Sequence, residues 1–118
     1  MSKTDPRDII EFIKASILRV RQYVPATKQE FDTNTMIQDA IIRNLEILSD
    51  ATAQLPQDWK DEFPNVNWQR IKDFRNRLAH SYMSVNLDII WQVIHVAPDL
   101  DEILAAVTVM EAKYGDGE

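Results

Sequence analysis

Ile37-Gln38-Asp39-Ala40-Ile41-Ile42-Arg43-Asn44-Leu45-Glu46-Ile47-Leu48 is the stretch that sets the fold class. Ile37, Ile41, Leu45 and Leu48, continued by Leu55, recur at helical spacing and draw one apolar stripe along a long helix. Thr33 or Asn34 can cap its start, and Pro56 stops it.

The flanking segments repeat that grammar. Pro6 suits a first helical residue behind Thr4 or Asp5, and Ile9, Ile13, Ile17 and Val20 carry a helix to about Tyr23. Residues 28–32 read as a short helical turn, and residues 57–63 as another, bearing Trp59. Asn65 or Asn67 can cap a third long helix ending near Tyr82, and Asn86 a fourth that Pro98 breaks. A fifth follows with Leu100, Ile103, Leu104, Val107, Met110 and Tyr114. No alternating strand pattern stands out. Both glycines, Gly115 and Gly117, fall in the last four residues, which leaves no Gly-rich phosphate loop and no hairpin glycine. The expectation is an all-α, up-and-down bundle of four to five helices, with residues 1–118 as one domain and 115–118 as a fraying tail.

Hydrophobic residues at 45% and charged residues at 27% give an ordinary globular balance. Without cysteine the chain has no disulfide, thiolate metal site or cysteine nucleophile. The start, Met1 to Pro6, lacks the apolar segment of a signal peptide, and the most apolar stretch, near residues 87–97, is too short to span a membrane. A cytoplasmic protein without membrane contact is expected. The net charge of −6 is unusual for a general nucleic-acid binder. One segment departs from it: from Trp68 to Tyr82, Arg70, Lys72, Arg75 and Arg77 face only Asp73, a local charge of +3. On charge alone, a solvated helix face is the better reading.

Inside that segment lies Arg75-Asn76-Arg77-Leu78-Ala79-His80-Ser81-Tyr82. Histidine changes protonation near neutral pH, and arginine offers a permanent charge shaped for phosphate oxygens. His80 and Arg75 are thus a minimal kit for cleaving RNA without a metal. The histidine moves a proton at the 2′-hydroxyl or the leaving oxygen, and the arginine stabilises charge on the phosphoryl group. An Arg and a His close in sequence carry little weight alone. The other histidine, His95, sits among apolar neighbours and reads as structural. With no cysteine and no His/Asp/Glu cluster, neither a metal nor a cofactor is expected.

The order Arg75, Asn76, His80, Tyr82 resembles the signature of the HEPN superfamily, and in particular of the HepT toxins paired with minimal nucleotidyltransferases. Ile42-Arg43-Asn44-Leu45-Glu46-Ile47, Phe63-Pro64-Asn65-Val66-Asn67-Trp68, Leu87-Asp88-Ile89-Ile90-Trp91 and Pro98-Asp99-Leu100 resemble the family's flanking patterns. Three positions depart from it. Ser49-Asp50-Ala51 stands where many relatives have Gly-Glu-Ala, so the acid is kept but shortened. Met83-Ser84 replaces an aromatic-Gly turn, and Asn86 an Asp.

The resemblance implies a metal-independent endoribonuclease with an Arg-x4-His motif, the toxin of a type VII-like toxin–antitoxin pair. It implies a homodimer, an RNA substrate such as tRNA or mRNA, and a cognate nucleotidyltransferase antitoxin that silences the toxin by AMP transfer to Tyr82. The alternative is a non-catalytic HEPN subunit that binds substrate or acts as scaffold in a nucleotidyltransferase complex.

Helical geometry constrains either reading. Arg75 and His80 point about 140° apart on an ideal helix, whereas Asn76 and His80 share a face. Either the arginine reaches around a helix that ends near His80, or two motif helices meet across a dimer axis and build one cleft from both chains. The second is the expectation. Asn76 would then orient His80 or contact phosphate, and Arg77 would hold RNA backbone. Trp59, Trp68 and Trp91 are expected as core or dimer contacts.

Overall fold

The first three long helices each begin where a short polar side chain satisfies a free backbone amide. In a computed structural model, which describes residues 5–80, 85–96 and 98–114 (for Ala79, His80 and Val96 the backbone alone), α1 spans Pro6–Tyr23. The Asp5 carboxylate accepts from the Arg7 amide at 2.9 Å, with Pro6 as first helical residue. The short α2, Lys28–Thr33, leads into α3, Thr35–Gln54, whose cap is Asn34 accepting from the Ile37 amide at 3.1 Å. Leu55 and Pro56 close α3, and α4 is a five-residue helix, Gln57–Asp61. Asn67 caps α5, Trp68–His80, by accepting from the Arg70 amide at 2.9 Å. Asn86 caps α6, Leu87–Trp91, which continues as a π-helical turn over Gln92–Val96. The last helix, α7, spans Asp99–Tyr114.

The fold is all-α, with four long helices, three short ones and no strand among the described residues. This agrees with five helices plus two short turns. Tyr82 and the tail expected to fray at 115–118 lie outside the described residues.

The core is what the stripes require. Ile10, Ile13, Ile17 and Val20 of α1 and Ile41, Leu45 and Leu48 of α3 are buried, with Ile103, Val107 and Met110 of α7. α1 packs along α3 on one side and against α7 on another, while α5 packs on α3. Each such side chain contributes about 1.5–3 kcal/mol when fully buried. Gln38 ties α3 to α2 by donating to the carbonyls of Phe31 (2.8 Å) and Asp32 (3.1 Å).

The last turn of α7 is stapled to α4 and the residue after it. Tyr114 stacks on Trp59 with centroids 4.1 Å apart, and its hydroxyl donates to Glu62 at 2.6 Å. Lys113 reaches the same carboxylate at 2.7 Å. Trp91 is buried, while Trp59 and Trp68 are half-buried against the core. His95 is exposed and stacks on Trp91 at 4.6 Å, so its role is structural but at the surface, outside the apolar interior. Among the described residues, no helix is long and apolar enough to cross a membrane.

Candidate functional site

The motif helix α5 is the least buried of the long helices. Leu78 is buried, Ile71 and Phe74 are half-buried, and the rest of its described side chains are half-buried or exposed. It therefore lies on the bundle like a rail held from beneath, with two open flanks. A helix so placed can present charge to a large ligand without removing cations from water.

Arg75 stands on the flank facing α3. Its Nε donates to Asp50 Oδ1 at 2.5 Å, and both side chains remain about half exposed (47% and 51%). Arg77 lies about 200° further round the helix and faces the other way. It borders a cleft of about 290 Å³ between α3, α5, α6 and α7, with Phe74, Ile89 and Leu100. Arg70 borders the same cleft and pairs with Asp99 at the start of α7. Asn76 is exposed, and Asp73 accepts from Gln69 at 3.0 Å.

The segment's charge is therefore divided. Arg75 and Arg77 do not share a face within one chain. The α5 backbone is helical through His80, so its register sets that position about 140° from Arg75, as an ideal helix requires. A site holding Arg75, His80 and Arg77 around one phosphate does not assemble on this face of a single undistorted helix.

Asp50 is the residue whose role the sequence left unassigned. Along the chain it shows only as a shortened acid in the segment that forms α3, 25 positions before its partner. Its contact with Arg75 depends on how α5 packs on α3, which no local pattern specifies.

On the same flank, towards α4, lies a polar groove of about 380 Å³ lined by Lys60, Lys72, Trp68, Gln57 and Gln69. Burial lowers the pKa of the Lys60 ammonium; Asp61 opposes that effect and the charge of Lys72 adds to it. Among the described residues, no group of three or more His, Asp or Glu side chains is placed to hold a metal ion.

An all-helical bundle that carries an Arg-Asn-x3-His helix on its surface defines a HEPN-type protein. The family model described as ribonuclease HepT-like matches residues 13–107, and the chain belongs to that family. It is similar to two proteins of Methanocaldococcus jannaschii. One is named "Putative RNase MJ1380", with 32% identity over 75% of this chain and 84% of that protein. The other is named "Putative RNase MJ0127", with 35% identity over 65% of each. A Thermococcus cleftensis protein named "Probable ribonuclease HepT" is 27% identical over 78% of this chain and 84% of its own length. No solved structure matches the chain.

Proposed function

We propose that this protein is an endoribonuclease, the toxin of a toxin–antitoxin pair, cutting RNA without a metal through Arg75 and His80. The observation that carries the reading is Arg75, held half-exposed on the motif helix by Asp50 in a chain of the ribonuclease HepT-like family. The ribonuclease names of its relatives support the reaction class.

In this reading the RNA 2′-oxygen attacks the adjacent phosphorus and the bond from phosphorus to the 5′-oxygen breaks. His80 moves a proton, taking it from the 2′-hydroxyl or giving it to the leaving oxygen. Arg75 leaves Asp50 and forks onto the phosphoryl oxygens as their charge grows. Because Arg75 and His80 diverge on one helix, a second copy of the chain completes the cleft, with Asn76 orienting the histidine and Arg77 on the backbone. AMP transfer to Tyr82 by a partner nucleotidyltransferase would set a bulky anion two residues from His80 and shut the site.

The test is growth arrest on inducing the chain alone, with His80→Ala beside it, and cleavage of RNA in EDTA by the purified proteins. Arrest and cleavage that vanish in the variant support the nuclease, whereas arrest that persists argues against this motif. In mixed dimers, His80→Ala chains combined with Arg75→Ala chains should cut RNA at a rate different from wild type, and a fully active monomer would sink the composite site. Mass spectrometry after exposure to the nucleotidyltransferase and ATP should find AMP on Tyr82.

The second reading is a non-catalytic substrate-binding or scaffold subunit of a nucleotidyltransferase complex. The 140° divergence of Arg75 and His80 favours it, and a wild-type chain that binds RNA without cutting it would select it.

A further inference from the structure

The polar groove beside Arg75 departs from the charge of its surroundings. The chain carries −6 overall, yet none of the residues lining this groove is acidic and two are lysines. Two acids beside it are bonded to its amides: Asp61 accepts from Gln57 at 2.8 Å and Asp73 from Gln69 at 3.0 Å.

The groove continues the Arg75 flank. Trp68, Lys72 and Arg75 lie within about 60° of one another around α5 and climb it over about 10 Å. The opposite wall is built from α4 and the end of α3. There Ser49 borders the groove while its neighbour Asp50 holds Arg75. Lys60 donates to the Thr52 carbonyl at 3.2 Å, which fixes its ammonium with other donors to spare. Its nitrogen lies 6.0 Å from the centroid of the Trp68 ring, and that ring is itself pinned by a 3.1 Å bond from Nε1 to the Lys60 carbonyl. Ser49 and Thr52 spend their hydroxyl protons on their own helix (2.7 and 2.9 Å). The ammonium groups and the amides are what a ligand meets.

We propose that Lys60 and Lys72 form a phosphate track that holds the RNA backbone next to the phosphate at Arg75. The proposal rests on the ribonuclease reading and extends it to a substrate-positioning role for residues outside the motif. Lysine and glutamine are among the side chains that contact nucleic-acid backbones. A docked protein surface would instead draw on several large apolar anchors, and among the residues lining this groove Trp68 is the one large apolar side chain. Anionic oxygens between the lysines would also relieve the repulsion that Lys72 exerts on Lys60.

The test measures binding of a fluorescent single-stranded oligoribonucleotide to the full chain carrying His80→Ala, across a salt series. For single strands, each lost phosphate contact lowers the slope of log affinity against log salt by about 0.7, or about fivefold between 1 M and 0.1 M salt. Lys72→Gln should show one such step and Lys60→Gln/Lys72→Gln two. Lys60→Arg/Lys72→Arg should restore the slope, which guards against a fold defect from losing the Lys60 bond. Arg19→Gln, exposed on α1, should leave the slope unchanged. With His80 intact, the glutamine variants should raise KM and spare kcat. A double variant with wild-type slope and KM overturns the track. So does one that keeps RNA affinity but loses the nucleotidyltransferase, which would assign the groove to the protein partner. A wild-type chain that cuts no RNA is a different failure, that of the ribonuclease reading itself.

Discussion

On one flank of α5, Arg75 and Lys72 look onto α3 and α4; on the other, Arg70 and Arg77 look onto α6 and α7. Each flank ties one arginine to an acid from another helix. The acids differ. Asp50 is about half exposed (51%), whereas Asp99 is mostly covered (18%) and sits in the first turn of α7. A carboxylate already in water is easily left by its partner, and a covered one is not, because departure strands a charge. The exposure of the acid thus separates an arginine available to a ligand from one that struts the bundle.

The largest break in this comparison should come from the arginines. If the Arg75 flank carries the chemistry, Arg75→Ala should lower single-turnover RNA cleavage by about 10²–10³, the cost of losing one transition-state donor. Arg77→Ala should cost about tenfold or less, since phosphate contacts chiefly position. Equal losses would erase the distinction between flanks.

Both flanks hang on Leu78, the buried anchor of α5. Leu78→Ala should destabilise the fold by about 2–5 kcal/mol, read by chemical denaturation, and lower activity only as far as the folded fraction falls.

Exchanging the acids sharpens the contrast at smaller cost. Asp50→Asn should cost under about 1 kcal/mol of stability, as exposed pairs do. It should still slow cleavage roughly tenfold, because Arg75 loses its aim. Asp99→Asn should do the reverse, costing about 1–2 kcal/mol through its partly covered place in the first turn of α7, without a comparable loss of rate.

The smallest effect lies away from both flanks. The hydrogen bond from Lys113, seconded by that from Tyr114, holds the Glu62 carboxyl below its usual value of 4.5. A depressed folded pKa contributes stability that is present above 4.5 and is lost as pH falls through the lower, folded value. The Tm advantage of wild type over Glu62→Gln should therefore be full near neutrality and shrink below pH 4.5.

Much of this architecture can be read along the chain. Asn34, Asn67 and Asn86 cap the helices they precede, and the Ile9-to-Val20 and Ile37-to-Leu48 stripes become the core. Caps and stripes are local, so the sequence displays them. The divergence of Arg75 and His80 is also local, being helical arithmetic. Contacts between helices are another matter. The pairing of Arg75 with Asp50, the closing of Lys60 over Trp68 and the splitting of a +3 segment onto two flanks all depend on docking angles. A linear charge count adds residues that the helix sets back to back. His95 shows the same limit: its apolar neighbours along the chain do not tell that it stands at the surface, against Trp91, in a π-helical turn.

Asp50 does more than point an arginine. In the ribonuclease reading its carboxylate, 2.5 Å from Nε, stands where a phosphate oxygen would bind, and so would act as a built-in competitor. If the site takes RNA, small anions would bring one weak contact, release few ions and fail to displace the carboxylate, whereas a polyanionic strand would displace it, because many contacts and released counterions favour the exchange together. The shortened acid of this chain would then serve as a filter on ligand size, and an Asp50→Asn chain should be more readily inhibited by inorganic phosphate.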